Sequence, residues 1–162
     1  MPASRNARTA PEMADRDTLL SMSGLAFMQG IRDGTLPPAA IAETLRYRIG
    51  EVEDGRVTFL GAPGPEHGNP MGVVHGGWYG TLLDSAMGCA VMTKVPKGSV
   101  YTTLEYKINI IRPIPLGTEV VATGTTSHAG RSTGVAEGTI RGVEDGRLYA
   151  TGSTTCIIMQ MP

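Results

Sequence analysis

Asp84 is the residue best placed by its neighbours to do chemistry. It is the single formal charge in residues 78–92, a run otherwise made of Leu, Ala, Met, Cys, Val, Gly, two aromatics and small hydroxyl residues. A carboxylate in apolar surroundings is costly to keep ionised, and burial raises its pKa toward the range useful for proton transfer. Just ahead of it stands His75-Gly76-Gly77. At a helix N-terminus the free backbone N–H groups bind developing negative charge, so a carbonyl placed there would be polarised. Two blander readings stay open from the residues alone. Asp84 can sit at a solvated helix edge or pair with a base, and Gly76-Gly77 can serve only to pack a helix closely on a sheet.

The element that must carry these groups is a helix over residues 76–92, and a helix apolar all round belongs inside a domain. Gly77, Gly80, Thr81, Asp84, Ser85 and Gly88 fall on one stripe of its wheel with almost no bulk. That stripe is expected to receive a partner's backbone or a ligand. A Gly- and Pro-rich loop over 61–70 delivers Asn69 and His75 to the helix start.

Upstream, residues 1 to about 15 read as a polar leader. An amphipathic helix is expected over 18–30 with Asp17 as its N-cap, followed by Pro37-Pro38 and one more turn over 39–43. Residues 45–49 and 57–60, joined through Asp54-Gly55, read as a hairpin. Four strand-like segments follow the central helix, at 100–112, 118–126, 134–143 and 148–159. In the first of these, Leu104, Tyr106, Ile108 and Ile110 alternate with Thr103, Glu105, Lys107 and Asn109, which sets Thr103 on the polar face. Pairing of consecutive strands as antiparallel neighbours is the simplest connection. The pattern is α+β, a single buried helix with an antiparallel sheet.

Across 162 residues, 41% hydrophobic and 18% charged content suits one soluble domain. The net charge of −1 gives no electrostatic case for nucleic acid or an anionic membrane, so any anionic ligand must be met by local arginines. No run reaches the ~18 apolar residues of a membrane helix, and the N-terminus lacks the apolar core of a secretory signal; a cytoplasmic location is the expectation. Cys89 and Cys156 have neither metal nor redox spacing and read as small buried hydrophobes. His67, His75, His128 and Asp84 offer no pair with ligand spacing on one element, so no metal site is expected.

Asn69, His75-Gly76-Gly77 six residues on, and Asp84 nine after the His resemble the hotdog-fold acyl-CoA thioesterases of the phenylacetate-degradation (PaaI-type) branch. Thr102-Thr103-Leu104-Glu105 and Arg112-Pro113 stand at matching spacings, and the likeness runs over residues 44–159. The resemblance implies a curved antiparallel sheet wrapped around one central helix, here preceded by a leader and extra packing helix over 1–43. It also implies hydrolysis of an acyl- or aryl-CoA to free acid and coenzyme A, with no separate cofactor, in a homodimer or a dimer-of-dimers tetramer. Asp84 is then general base or nucleophile, and the Gly76 N–H polarises the carbonyl. His75 bonds the carbonyl or sulfur, and Asn69 orients substrate or water. Thr103 positions the water, with Thr102 as its neighbour of opposite direction. Arg131 is the cation matched to the relatives' nucleotide-binding region. Trp78, Leu82, Tyr101 and residues of a neighbouring subunit are the expected pocket walls. Two other functions fit the same resemblance, a hotdog hydratase or dehydratase of acyl thioesters and a non-catalytic acyl-CoA-binding sensor. The dehydratase needs a His and an acid facing the substrate alpha and beta carbons, whereas His-Gly-Gly suits carbonyl polarisation better.

Overall fold

A computed structural model describes residues 14–162. The leader expected over residues 1 to about 15 lies, save its last residues, outside that stretch. In chain order the elements are helices α1 (Arg16–Ser21), α2 (Gly24–Arg32) and α3 (Ala40–Thr44), strands β1 (Tyr47–Glu53) and β2 (Arg56–Gly61), a 3-10 turn (Pro65–His67) and helix α4 (Gly76–Met92). Strands β3 (Ser99–Ile110), β4 (Val120–Ala129), β5 (Thr133–Gly142) and β6 (Leu148–Gln160) complete it.

All six strands join one antiparallel sheet in the order β1-β2-β4-β5-β6-β3, and α4 packs against β2, β3, β4, β5 and β6. The sheet therefore wraps α4 in the hotdog manner. Leu82, Leu83, Met87 and Val91 of α4 are fully buried, and each large apolar side chain so placed contributes roughly 1.5–3 kcal/mol. The approach is close enough that a methyl on Gly124 of β4 would overlap the Ala86 carbonyl of α4. Thr93 ends α4 by donating to the Ala90 carbonyl at 2.7 Å. Its oxygen also accepts the Gly55 N–H at 2.7 Å, which ties the β1–β2 turn to the helix end.

Pairing of consecutive strands fails at β3, which lies beside β6 and not β4. Because α4 carries the chain across the sheet, β3 re-enters on the edge opposite β1. The link to β4 then returns beneath the helix start, where Tyr79 Oη accepts the Ile114 N–H at 2.7 Å.

The helix expected over 18–30 is two helices. Asp15, not Asp17, caps α1 through the Thr18 N–H at 2.7 Å, and Ser23 caps α2. The break has a tertiary cause. The Gly24 N–H donates to the Val95 carbonyl at 2.9 Å, and a methyl on Gly24 would overlap the Met92 carbonyl oxygen, so bare backbone docks on the end of α4. From there α2 packs on β1 while α1 touches β3, where the Gly98 N–H reaches the Leu20 carbonyl at 3.1 Å. The N-terminal helices thus bridge the two edges of the curved sheet.

Candidate active site

Asp84 sits midway along α4, half-buried, and its Oδ1 accepts the Thr103 hydroxyl at 2.9 Å. Burial pushes the Asp84 carboxyl above its ordinary value, and the Thr103 hydrogen bond offsets part of that rise. The carboxylate is held in one orientation by a single donor, in an environment that strengthens it as a base.

Strict alternation along β3 would not aim Thr103 this way, because it places Thr103 on the face opposite Tyr106 and Ile108. The register shifts between Thr103, which pairs with Cys156, and Glu105, which pairs with Thr155. Leu104 is the extra residue of a β-bulge, 61% exposed, and it turns Thr103 onto the same side as Tyr106 and Ile108. Thr102, facing away, is exposed.

At Gly80 and Gly88 the small stripe on α4 is covered by the chain's own β3, where a partner or ligand was expected. Tyr106 and Ile108 lie against Gly80, and Tyr101 lies against Gly88, at 3.0–3.7 Å from the position a methyl would take. Two tyrosine rings supply the bulk that the glycines lack. Gly76 is different. A methyl there would meet Ile110 Cδ1 alone, at an ordinary 3.5 Å, so packing within the chain does not demand glycine.

Gly76 and Gly77 open α4, where the first turn's N–H groups have no intrahelical carbonyl. His75 is the N-cap, and its Nδ1 accepts the Gly77 N–H at 2.9 Å, which puts the ring proton of the neutral form on Nε2. The Gly76 N–H has no hydrogen-bond partner among the described residues. Asn69 Oδ1 accepts the Met71 N–H at 2.9 Å and the Val73 N–H at 3.3 Å, and its backbone closes the same turn. That carboxamide oxygen therefore shapes the 69–73 loop. Its Nδ2 is left for other contacts. Arg131 is exposed in the β4–β5 turn, without an ion pair among the described residues.

A cavity of about 270 Å³ opens from Ser85, the residue after Asp84, between α4, strands β1 to β3 and the N-terminal helices, and neither Asp84 nor Thr103 lines it. Of the expected walls Tyr101 lines it. Trp78 and Leu82 do not, because Trp78 is turned toward the 61–70 loop and gives its Nε1–H to the Leu45 carbonyl at 3.0 Å, and Leu82 is wholly buried. Other nucleophiles near Asp84 are disarmed. Burial pushes the Cys89 thiol up to about 12, and Ser85 Oγ is hydrogen-bonded to Tyr47 Oη at 2.8 Å with no histidine beside it. Among the described residues no three His, Cys, Asp or Glu side chains gather as a metal cluster.

The family model of the thioesterase superfamily matches residues 71–149, the span holding α4, Asp84 and Thr103. Over this span the chain is similar to the thioesterase superfamily. It is 29% identical over 90 residues to mouse acyl-coenzyme A thioesterase 13, a match covering 56% of this chain and 64% of that protein's length. Among solved structures, it superposes on a phenylacetic acid degradation-related protein of Ralstonia eutropha JMP134 with TM-score 0.74 and 26% identity, covering 81% of this chain and 98% of that one. A thioesterase protein of Streptococcus pneumoniae solved with coenzyme A gives TM-score 0.66 and 27% identity, covering 74% and 92%. The superfamily and the hotdog fold agree with the PaaI-type resemblance carried by Asn69, His75-Gly76-Gly77 and Asp84.

Proposed function

We propose that this chain hydrolyses acyl-CoA thioesters to free acid and coenzyme A, in a site completed by a second copy of itself. The observation that carries the reading is the half-buried Asp84 carboxylate, raised in basicity and held by Thr103 at 2.9 Å, one residue before Ser85, where an apolar cavity begins. Asp84 either takes a proton from water as that water attacks the thioester carbon, or attacks the carbon itself to form an anhydride that water then opens. In both routes the C–S bond breaks, coenzyme A leaves as thiolate, and water supplies the oxygen gained. The Gly76 N–H, without a partner among the described residues, is suited to hold the oxyanion formed on the way.

One chain cannot present both groups to one carbonyl. Gly76 and Asp84 are eight residues apart on α4, about 12 Å along the axis at 1.5 Å per residue, whereas base and oxyanion donor must both come within about 3 Å of the reacting group. Two copies related by a twofold axis resolve this, Asp84 of one facing Gly76 of the other. The edge strands favour such pairing on β3. Strand β1 is broken by a register shift between Ile49 and Val52 and carries exposed Arg48, Glu51 and Glu53, features that blunt an edge. Strand β3 also has a bulge and exposes Glu105 and Lys107, but it is 12 residues long and exposes the large apolar Leu104, Tyr106 and Ile110, and the loop before Gly76 adds Met71, 84% exposed. In this arrangement Asn69 and His75 come to the neighbour's Asp84, and Arg131 is a candidate for the nucleotide phosphates.

The dehydratase reading is less well supported, since His75 Nδ1 is engaged in capping the helix. The test is thiol release over a panel of short, medium, branched and aromatic acyl-CoAs by wild type and Asp84→Asn. Turnover that falls at least ~10²-fold in Asp84→Asn supports the reading. Tight acyl-CoA binding with no turnover on any member supports the sensor instead.

A further inference from the structure

The cavity that begins at Ser85, the residue after Asp84, is roofed by the N-terminal helices, and we infer that it is a chamber for the tail of a medium-length, unsubstituted acyl group. Met28 and Ile31 of α2 set the length limit. The inference rests on the acyl-thioester reading and adds the substrate class and a role for the segment ahead of β1.

Three observations carry it. The first is direction. Asp84 and Thr103 form one pair across α4 and β3, and the cavity wall begins at the next α4 residue, Ser85, and runs toward the helix C-terminus through Cys89 and Met92 on α4 and Tyr101 and Val100 on β3. From Asp84 to Met92 this path is about 12 Å. A thioester carbonyl at Asp84 therefore sends its tail along α4, away from the Gly76 end and away from solvent.

The second is closure. Strands β1 and β3 are the two edges of the sheet, and the space between them would be an open trough over α4. Helix α2 packs on β1 and α4 while α1 reaches β3, so Met28 and Ile31 close the trough from above. Met28 is buried against the core, and Ile31 is half-exposed.

The third is chemistry. Of the polar side chains on the wall, Tyr47 Oη and Ser85 Oγ are used by one another at 2.8 Å, and the Tyr101 hydroxyl lies at the α4 side against Gly88. The far end, at Leu19, Phe27, Met28, Ile31 and Met92, offers carbon and sulfur only. A hydroxyl carried there would lose its water without gaining a partner. A dry apolar cavity of about 150 Å³ accepts benzene, with six carbons, so on the same scale this one holds about ten. An unsubstituted chain of roughly eight to ten carbons fills the chamber.

The test compares acyl-CoAs of four, ten and sixteen carbons and a ten-carbon chain with a terminal hydroxyl, using wild type, Met28→Trp and Ile31→Trp. Binding of non-hydrolysable alkyl thioethers of coenzyme A with the same tails is measured by calorimetry alongside. Wild type is expected to favour the ten-carbon over the four-carbon tail at least ~10-fold in kcat/KM and in affinity, since each buried methylene is worth about 0.8 kcal/mol. It is also expected to discriminate against the terminal hydroxyl and the sixteen-carbon tail. Both Trp variants are expected to lose the ten-carbon preference, with kcat/KM and affinity falling at least ~10-fold more for the ten-carbon tail than for the four-carbon one. Ile31, half-exposed, accommodates the larger side chain if Met28→Trp does not fold. Wild type with no chain-length preference in binding, or folded Trp variants that weaken four- and ten-carbon tails equally, would overturn the inference. If no thioester is hydrolysed, the acyl-thioester reading fails on turnover, while the thioether affinities still decide whether the chamber holds the tail.

Discussion

The shared-site geometry can be tested by mixing two inactive proteins. Gly76→Pro removes the one N–H assigned to the oxyanion and nothing else of note. Position 76 is the first residue of α4, where proline is well tolerated, and His75 before it already has ψ 137°, which a following proline favours. A side chain at 76 meets Ile110 Cδ1 alone, at 3.5 Å. Loss of one oxyanion donor is expected to lower kcat by ~10²–10³-fold, and Asp84→Asn by ~10²–10⁴-fold. Each homodimer is then nearly silent.

In a heterodimer with sites between subunits, one site carries both defects and the other carries none. Random exchange makes half the dimers mixed, so the mixture is expected to recover about a quarter of wild-type activity. Sites built within one chain would recover none, since every copy of Gly76→Pro and every copy of Asp84→Asn stays defective. Thiol release is the assay, with native mass spectrometry to establish that mixed dimers have formed. Mixed dimers present in the expected half, with activity no higher than the separate variants, would refute the 12 Å argument.

Thr103→Val deletes the hydroxyl that donates to Asp84, a hydrogen bond to a charged group of roughly 1.5–3 kcal/mol, so kcat/KM should fall about 10- to 150-fold. That hydrogen bond holds the Asp84 pKa down, so the acid limb of the variant's pH profile moves to higher pH, whereas Thr102→Val leaves it in place. Asp84→Asn should raise Tm at neutral pH. Burial raises the folded-state pKa above the unfolded value, so the folded chain holds the proton more tightly, and the stability this brings is lost as pH rises through the folded pKa. The Tm gain should therefore vanish toward acid pH, and thermal melts at a series of pH values check it. Gly24→Ala should lower stability by roughly 1–3 kcal/mol in denaturant titration, because its methyl meets the Met92 carbonyl oxygen.

The central helix was legible because its signal does not depend on register. Fifteen residues with one charge must be buried whichever way the chain turns, and a lone carboxylate among them stands out on any wheel. The hairpin at Asp54-Gly55 and the strand-like segments were legible from turn residues and period-two patterns, with ends displaced by up to four residues. The N-terminal break was not. Met22-Ser23-Gly24 carries a weak signal for a new helix start, but the demand for bare backbone comes from Met92 and Val95, seventy residues away. The neighbour of β3 was hidden for a similar reason, since sheet order depends on where α4 delivers the chain.

The bulge at Leu104 shows why the site was legible in its residues and not in its geometry. Tyr101 and Thr103 share one parity along β3, and Tyr106, Ile108 and Ile110 share the other. In an unbroken strand one of these sets would face away from α4. The helix needs both, since Gly88 is matched by Tyr101, Asp84 by Thr103, and Gly80 by Tyr106 and Ile108. One extra residue reconciles them, and Leu104 fills that place while keeping the apolar alternation of 104, 106, 108 and 110 intact in the sequence. The alternation conceals the insertion because a leucine is the right residue type for the face it appears to occupy. The signal that could have found it lies across two elements, in the small stripe of α4. Gly80, Asp84 and Gly88 are four residues, about 6 Å, apart along the helix, and each calls for a partner of particular size or polarity. A strand that rises about 3.4 Å per residue supplies a tyrosine, a threonine and another tyrosine in that order only if its face is allowed to switch between Thr103 and Tyr106.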